Sequence, residues 1–353
     1  MRHHKIFRIT ETSNVGELRR AVVKIAKNSG FSEEEIGKIG IIANEMATNL
    51  LKHAERGGQV LVRSLCLNGC NGFEIISLDK GPGIKNTQLA LRDGYSTAGS
   101  SGTGLGAIRR LSHEFDIYSQ EEKGTAIISK IWVGGKKPEV CKQRMEYGVL
   151  STAKPGLEVC GDDWCVEYFQ GRIMVLLVDG LGHGEGASEA AQQAVEIFKS
   201  HLHLPIEDIL HRIHSGLRST RGAVVGVASI HAEKALMEYA GIGNIAARIV
   251  ASNKSQGCIS FNGTVGVQLG KVQRFTYEWP KDAIFIINSD GFAANISLNS
   301  YNGLLNHSMS ALAAVLFRDF ACGSDDTSMI AIKSLAASGG SNEDYNGYYS
   351  TRI

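Results

Sequence analysis

At 353 residues, with 43% hydrophobic and 21% charged side chains, the chain is long enough for two domains, each with a packed core. A formal net charge of +1 without a long basic run argues against nucleic acid as the main partner. No apolar run approaches the roughly 20 residues that span a bilayer, and Met1-Arg2-His3-His4-Lys5 opens no signal-like apolar region. A cytoplasmic protein without membrane contact is expected. The seven cysteines are odd in number and show no Cys-x-x-Cys pair, so they read as reduced thiols.

In chain order, His3 and His4 fall in a terminus expected to fray. Leu18, Val22, Ile25 and Ala26 then recur at helical spacing, and Gly30 supplies a stop. Ser32 followed by Glu35 reads as a capping box opening a second helix that runs to about His53. Its buried stripe is Ile36, Ile39, Ala43, Met46 and Leu50, while Glu45, Asn49 and His53 share another face. Residues 60–65 and 73–78 read as a strand pair, the second ending in Asp79-Lys80-Gly81-Pro82-Gly83. Gly102-Thr103-Gly104-Leu105-Gly106 opens a helix reaching about His113, and Gly124-Thr125 starts a strand to Trp132. A glycine loop at a helix start offers free backbone N–H groups and a positive dipole end to phosphates. No buried strand leads into this loop, so it is not a Rossmann fingerprint. No lysine and hydroxyl follow it, so it is not a Walker motif.

Asn44-Glu45-Met46-Ala47-Thr48-Asn49, Asp79-x-Gly81-x-Gly83 and Gly102-x-Gly104-x-Gly106 together resemble the N box and two glycine boxes of the GHKL ATP-binding fold. Asp93-Gly94-Tyr95-Ser96-Thr97 brings the likeness nearer to stressosome switch kinases than to anti-sigma factors. The resemblance implies that Asn49 holds magnesium on the ATP phosphates and that Asp79 accepts from the adenine amino group. It further implies that Gly81, Gly83, Gly102, Gly104 and Gly106 shape the cradle, and that Thr125 supports the adenine end. Glu45 would orient or deprotonate the attacking serine hydroxyl. A sensor histidine kinase would need a helical hairpin bearing a histidine before this domain, and the first 40 residues leave no room for one.

Gly134-Gly135-Lys136-Lys137-Pro138 breaks the pattern and begins a polar connector. The expected organisation is an ATP-binding domain over 1–134, a linker over 135–147, a second domain over 148–335 and a disordered tail over 336–353. In the second domain the run 173–178 is apolar at every position and reads as a strand buried on both faces, ending at Asp179. Gly180, Gly182, Gly184 and Gly186 follow it. Helices are expected over 187–198, 206–217 and 302–320, with further strands over 223–230 and 236–250. Asp290 follows the apolar run 283–287, and Asp325 precedes the run 329–332. Gly161-Asp162-Asp163 adds another acidic end. Carboxylates at several strand ends can converge on one point, and cations make that convergence cheap. An all-oxygen site suits magnesium or manganese, and two such ions can activate a water against a phosphate ester.

Gly161-Asp162, Asp179-Gly180, Ser289-Asp290-Gly291 and Asp325-Asp326-Thr327, in that order, resemble the metal-dependent serine/threonine protein phosphatases of the PPM family. The likeness is to the small bacterial branch of stressosome and sporulation signalling, and Arg221-Gly222-Ala223 with Gly241-Ile242-Gly243-Asn244 strengthens it. It implies two divalent metals bridged by Asp179 and joined by the Gly180 carbonyl, Asp162, Asp290 and Asp325. Larger relatives carry a histidine straight after the Asp-Gly pair. Leu181 stands there in this chain, which leaves the general acid unassigned. The expected fold is α+β, a GHKL α/β sandwich followed by a β-sandwich flanked by helices. The expected function is that of a bifunctional partner-switching regulator. It would phosphorylate a STAS-domain antagonist protein and dephosphorylate it again, with a sigma factor or stressosome-like assembly downstream. The alternatives are an ATP-dependent sequestering module fused to a phosphatase, or a phosphatase with a nucleotide-sensing domain.

Overall fold

A computed structural model of the chain describes residues 2–67, 69–92, 104–135, 145–251 and 254–335. Its first part runs β1 (Lys5–Ile9), α1 (Thr12–Asn28), α2 (Glu33–His53), β2 (Gly58–Leu67), β3 (Cys70–Asp79), the short α3 (Thr87–Ala90), α4 (Gly104–Leu111), β4 (Glu114–Gln120) and β5 (Gly124–Trp132). The capping box forms as expected: the Glu35 N–H donates to Ser32 Oγ at 3.3 Å, and Glu35 Oε2 accepts from the Ser32 N–H at 2.8 Å. The strands make one antiparallel sheet in the order β1-β2-β3-β5-β4. Helices α1, α2 and α4 cover one face, where Leu18, Val22, Ile39 and Met46 pack on Val60, Val62, Phe73 and Ile75.

The second part runs β6 (Met145–Thr152), β7 (Asp162–Phe169), β8 (Arg172–Gly180), α5 (Glu185–Ser200), α6 (Ile206–Gly216), β9 (Ala223–His231), β10 (Leu236–Ile242) and β11 (Ala246–Ala251). It continues with β12 (Lys254–Gly257), β13 (Ser260–Phe261), β14 (Phe275–Glu278), β15 (Ile284–Asn288), α7 (Met309–Phe320) and β16 (Thr327–Ser334). Two sheets, β13-β10-β9-β8-β7 (with β14 on β10) and β12-β11-β15-β16-β6, face each other. Tyr239, Phe285, Trp279 and Ile330 fill the space between them. Helices α5 and α6 cover the outer face of the first of these sheets, around Phe198, Leu210 and Val227.

Three expectations need correction. The late helix is shorter than 302–320, because Gly303 sits in the left-handed region at φ 72° and Ser308 caps the helix by accepting from the Ala311 N–H. Strand β6 begins at Met145, inside the stretch expected to be linker, while 136–144 and the tail from 336 onward lie outside the described residues. Finally, His3 and His4 do not fray. His4 is buried and bridges to Thr152, and His3 Nδ1 lies 2.8 Å from Ser151 Oγ.

The largest surprise is α7, which is apolar on every side and buried on every side. One flank packs on β6 and β16, through Leu150, Met329 and Ala331, and the other packs on Leu61, Ile76, Leu78, Ala126 and Ile128 of the first sheet. The layers therefore run α1/α2, first sheet, α7, then the two-sheet sandwich, then α5/α6. The two halves were expected to have separate cores, and they share one at α7.

Candidate active sites

The first site gathers at the open end of α2. Glu45 and Asn49 are half-buried one turn apart on that helix. Helix α4 begins directly against them, so close that a Cβ on Gly104 would lie 2.8 Å from Glu45 Oε2 and 3.5 Å from Asn49 Oδ1. A side chain at 104 would press on these two polar groups, and glycine keeps the space beside them open. Among the described residues Asn49 Nδ2 is buried with no hydrogen-bond partner, an unusual cost for an amide inside a protein. Gly106 is buried within α4, while Gly102, Thr103 and 93–97 lie outside the described residues.

At the far end of the same cleft, Asp79 Oδ1 accepts from the Gly81 N–H at 2.8 Å and the Thr125 N–H at 3.2 Å. Burial raises the Asp79 carboxyl above its usual range, and these bonds partly offset that. Gly83 takes φ 76°, and a Cβ there would meet the Gln120 carbonyl at 2.2 Å. Ser119 Oγ lies 2.8 Å from Thr125 Oγ1 and accepts from the Ile84 N–H at 2.7 Å. The loop after β3 is thus tied to the β4–β5 turn. Sequence reading passed over Ser119, since a lone serine in a strand carries no signal. The unpartnered Asn49 N–H calls for an acceptor such as a phosphate oxygen, its Oδ1 is the atom that would face a cation, and glycine at 104 keeps the space beside them open, so the residues fit a magnesium-bearing nucleotide.

The second site lies at the ends of β7, β8, β15 and β16. Asp162 and Asp179 stand opposite each other across the β7–β8 pair. Burial, then Asp162, Asp290, Asp325 and Asp326, push the Asp179 carboxyl up to about 9, and burial raises Asp162 to about 7. Ser289 Oγ donates to Asp162 Oδ2 at 2.8 Å, and Asn244 Nδ2 donates to Asp290 Oδ2 at 2.8 Å. Asp325 is half-buried, 4.0 Å from Lys154 Nζ. Gly180 is required sterically, because a Cβ there would lie 2.2 Å from the Ala187 carbonyl on α5. Asp326 was quoted in the motif but not assigned to the site. It is buried, takes the Lys154 N–H on Oδ1 at 2.8 Å, and has the Gly161 N–H and the Cys160 thiol as further partners.

Among the described residues no three acidic, histidine or cysteine side chains meet at ligand distance. The arrangement is therefore a convergence of charge and not a closed shell. Five carboxylates whose charges raise one another fit hard divalent metals. Leu181 and His183 are exposed in the turn, and the His183 carbonyl accepts from Arg221 Nη1 at 3.5 Å.

Comparison with known proteins divides the chain in the same way. A histidine kinase-like ATPase domain matches residues 9–131. The serine/threonine-protein kinase RsbT of Bacillus subtilis (strain 168) is 31% identical over 133 residues, which cover 38% of this chain and 99% of that protein. The phosphoserine phosphatase RsbX of the same organism is 25% identical over 146 residues, 40% of this chain and 72% of that one. A solved structure described as "The bacterial stressosome: a modular system that has been adapted to control secondary messenger signaling" shares the fold. It covers 54% of this chain and 99% of its own, at 24% identity and TM-score 0.51. The chain belongs to the family of RsbT-type serine/threonine protein kinases, joined in one polypeptide to a second domain similar to the phosphoserine phosphatase RsbX.

Proposed function

We propose that the chain is a cytoplasmic partner-switching regulator that adds phosphate to a serine or threonine of a STAS-type antagonist protein and removes it again. The observation that carries this reading is the coexistence in one molecule of the Glu45–Asn49–Gly104 cleft and the five-carboxylate cluster. The similarity to RsbT and RsbX supports pairing the two activities on one phosphoprotein. The functional units would be 1–134 and 148–335.

In the kinase half, Asn49 would hold magnesium on the phosphates of ATP, and Asp79 would accept from the adenine amino group. Gly81, Gly83, Gly102, Gly104 and Gly106 would let backbone N–H groups close on the nucleotide, with Thr125 fixing Asp79 from behind. Glu45 would take the proton of the attacking hydroxyl as the γ-phosphoryl group passes to the serine oxygen and ADP departs. Positioning and charge neutralisation carry most of such a transfer.

In the phosphatase half, Asp162, Asp179, Asp290, Asp325 and the Gly180 carbonyl would hold two magnesium or manganese ions. Those ions supply Lewis acidity and an activated water. Ser289 and Asn244 keep Asp162 and Asp290 turned toward the centre. Incubation of the full chain with labelled ATP and a candidate STAS protein tests the reading. Label should enter the STAS protein, and manganese should then release it as inorganic phosphate. ATP-dependent complex formation without transfer would favour sequestration instead.

A further inference from the structure

Helix α7 ends against both active sites. Arg318 is buried, and its guanidinium is held flat by a bidentate pairing with Asp319, at 2.9 Å from Nε and 2.7 Å from Nη2. The remaining arm, Nη1, donates to the main-chain carbonyl of Asp79 at 3.2 Å. That carbonyl lies in a crowded place, since a Cβ on Gly124 would come within 2.1 Å of it. Asp319 also accepts from Tyr301 Oη at 2.9 Å and lies 4.0 Å from Lys80 Nζ. A second clamp stands beside the first. The Ser300 carbonyl accepts from Gln120 Nε2 at 3.1 Å and from Lys123 Nζ, and Lys123 sits over the Tyr301 ring at 4.5 Å. Residues of the phosphatase half therefore hold both walls of the adenine end, the loop after β3 and the β4–β5 turn.

The same helix end is bonded to the carboxylate loops. The Phe320 carbonyl accepts from the Ala293 N–H at 2.9 Å, Phe292 bridges to Ala321, and the Gly291 carbonyl accepts from the Cys322 N–H at 2.9 Å. Gly291 follows Asp290, and Cys322 leads into Asp325. The Asp79 loop is thereby joined, through the end of α7, to the segments that carry Asp290 and Asp325.

We propose that Arg318 is a positioning residue of the nucleotide site, supplied by the phosphatase half, and that through it nucleotide occupancy and metal-dependent hydrolysis are linked. The inference rests on the nucleotide-binding reading above. Because Arg318 touches the Asp79 backbone and not the cleft's interior, its role is to fix where the Asp79 carboxylate stands. Any such linkage is reciprocal in binding, so a nucleotide that tightens the acidic site is itself held tighter when that site is loaded.

The test uses the full chain and two probes: a fluorescent ADP analogue for affinity, and p-nitrophenyl phosphate with manganese for hydrolysis. Arg318→Met should weaken the analogue roughly tenfold, the scale of one lost charge-assisted hydrogen bond. Arg318→Lys should fall between Met and wild type. In the wild-type chain a non-hydrolysable ATP analogue should shift the manganese concentration for half-maximal hydrolysis about fivefold or more, and in Arg318→Met that shift should vanish. If Arg318→Met does not fold, Asp319→Asn, which frees the guanidinium without emptying its place, should give the same two changes in smaller measure. Unchanged nucleotide affinity in a folded variant overturns the positioning role. A wild-type half-activation point indifferent to the nucleotide overturns the linkage. Failure of the wild-type chain to bind the analogue at all refutes the nucleotide-binding reading itself.

Discussion

Burial and four other carboxylates push the Asp179 carboxyl up to about 9 as long as its neighbours' charges stand uncompensated. A divalent cation reverses that balance, so the residue's chemistry depends on metal. Asp179→Asn should therefore lower manganese-dependent hydrolysis of a phosphoserine protein by about 100-fold or more. Affinity for nucleotide in the absence of manganese should stay near wild type. Retained hydrolysis would remove Asp179 from the bridging position. At the other site the roles of Glu45 and Asn49 separate. Asn49→Ala should weaken magnesium-nucleotide binding. Glu45→Gln should leave binding intact while cutting phosphoryl transfer by about 10²–10⁴-fold, the usual worth of a general base. Equal transfer rates for Glu45→Gln and wild type would make that carboxylate a bystander. These acidic and amide residues were legible in the sequence because each sits at a strand end or on one helix face beside glycines. Ser289 and Asn244 stood inside quoted motifs, but nothing in their spacing announced what they would orient.

Among the elements, the amphipathic ones were read correctly and the uniformly apolar one was read halfway. Helix α2 shows a stripe with a capped start, and its limits came out as expected. Helix α7 reads Met-Ser-Ala-Leu-Ala-Ala-Val-Leu-Phe-Arg-Asp-Phe, with no polar face until Arg318 and Asp319. A helix apolar all round must be covered all round, but the pattern does not say by what. Its amino end shows the same limit. The Ser308 N–H donates to Asp116 Oδ2 and the Met309 N–H to Glu146 Oε1, each at 2.8–2.9 Å, so carboxylates meet the positive end of the helix. Ser310 Oγ donates to Glu74 Oε1 at 3.2 Å. Glu74, fully buried in β3, looks like a misplaced charge in sequence. Its other partners are Arg63 at 2.7 Å, Lys130 at 3.6 Å and His4 at 3.2 Å, and the cations hold its carboxyl well below the usual range despite burial.

This cluster sets a pH dependence. Burial and then Arg63 push His4 below its ordinary value of 6.5, and burial and then Arg2 hold His3 down to about 4. Both resist protonation in the folded chain, whereas the unfolded chain begins to protonate them below about 6.5. Their contribution to stability is full above 6.5 and is lost as pH falls toward 4. Glu74 adds a loss at lower pH, below the ordinary 4.5. The melting temperature should thus drop between pH 7 and pH 5, and less steeply in a His3→Gln/His4→Gln variant. Identical slopes in the two proteins would assign the acid sensitivity elsewhere.

At the scale of the molecule, the apolar face formed by Leu61, Ile76, Leu78, Ala126 and Ile128 belongs to the kinase sheet, while its cover belongs to the phosphatase half. The kinase relative is matched over 99% of its length by 133 residues, so a fragment of this half holds the whole matched unit and leaves this face uncovered. A fragment of residues 1–134 should bind a hydrophobic dye and self-associate, whereas the full chain should do neither. A monomeric, dye-silent fragment with a cooperative melt would show the shared core to be dispensable. The division into two kinds of domain was readable from motifs alone, because motifs are local. The shared core was not, because it joins strands near the start of the chain to a helix near its end.

That separation also imposes an order on synthesis. Translation proceeds at about 5–20 residues per second, and α7 begins at Met309, far beyond the end of β5 at Trp132. The kinase sheet therefore leaves the ribosome roughly 10–35 s before the helix that covers it. During that interval its bare face must be shielded by a chaperone, by a transient neighbour or by remaining unfolded. The other half waits as long for one of its own strands, since β6, which begins at Met145, pairs with β16, which begins at Thr327.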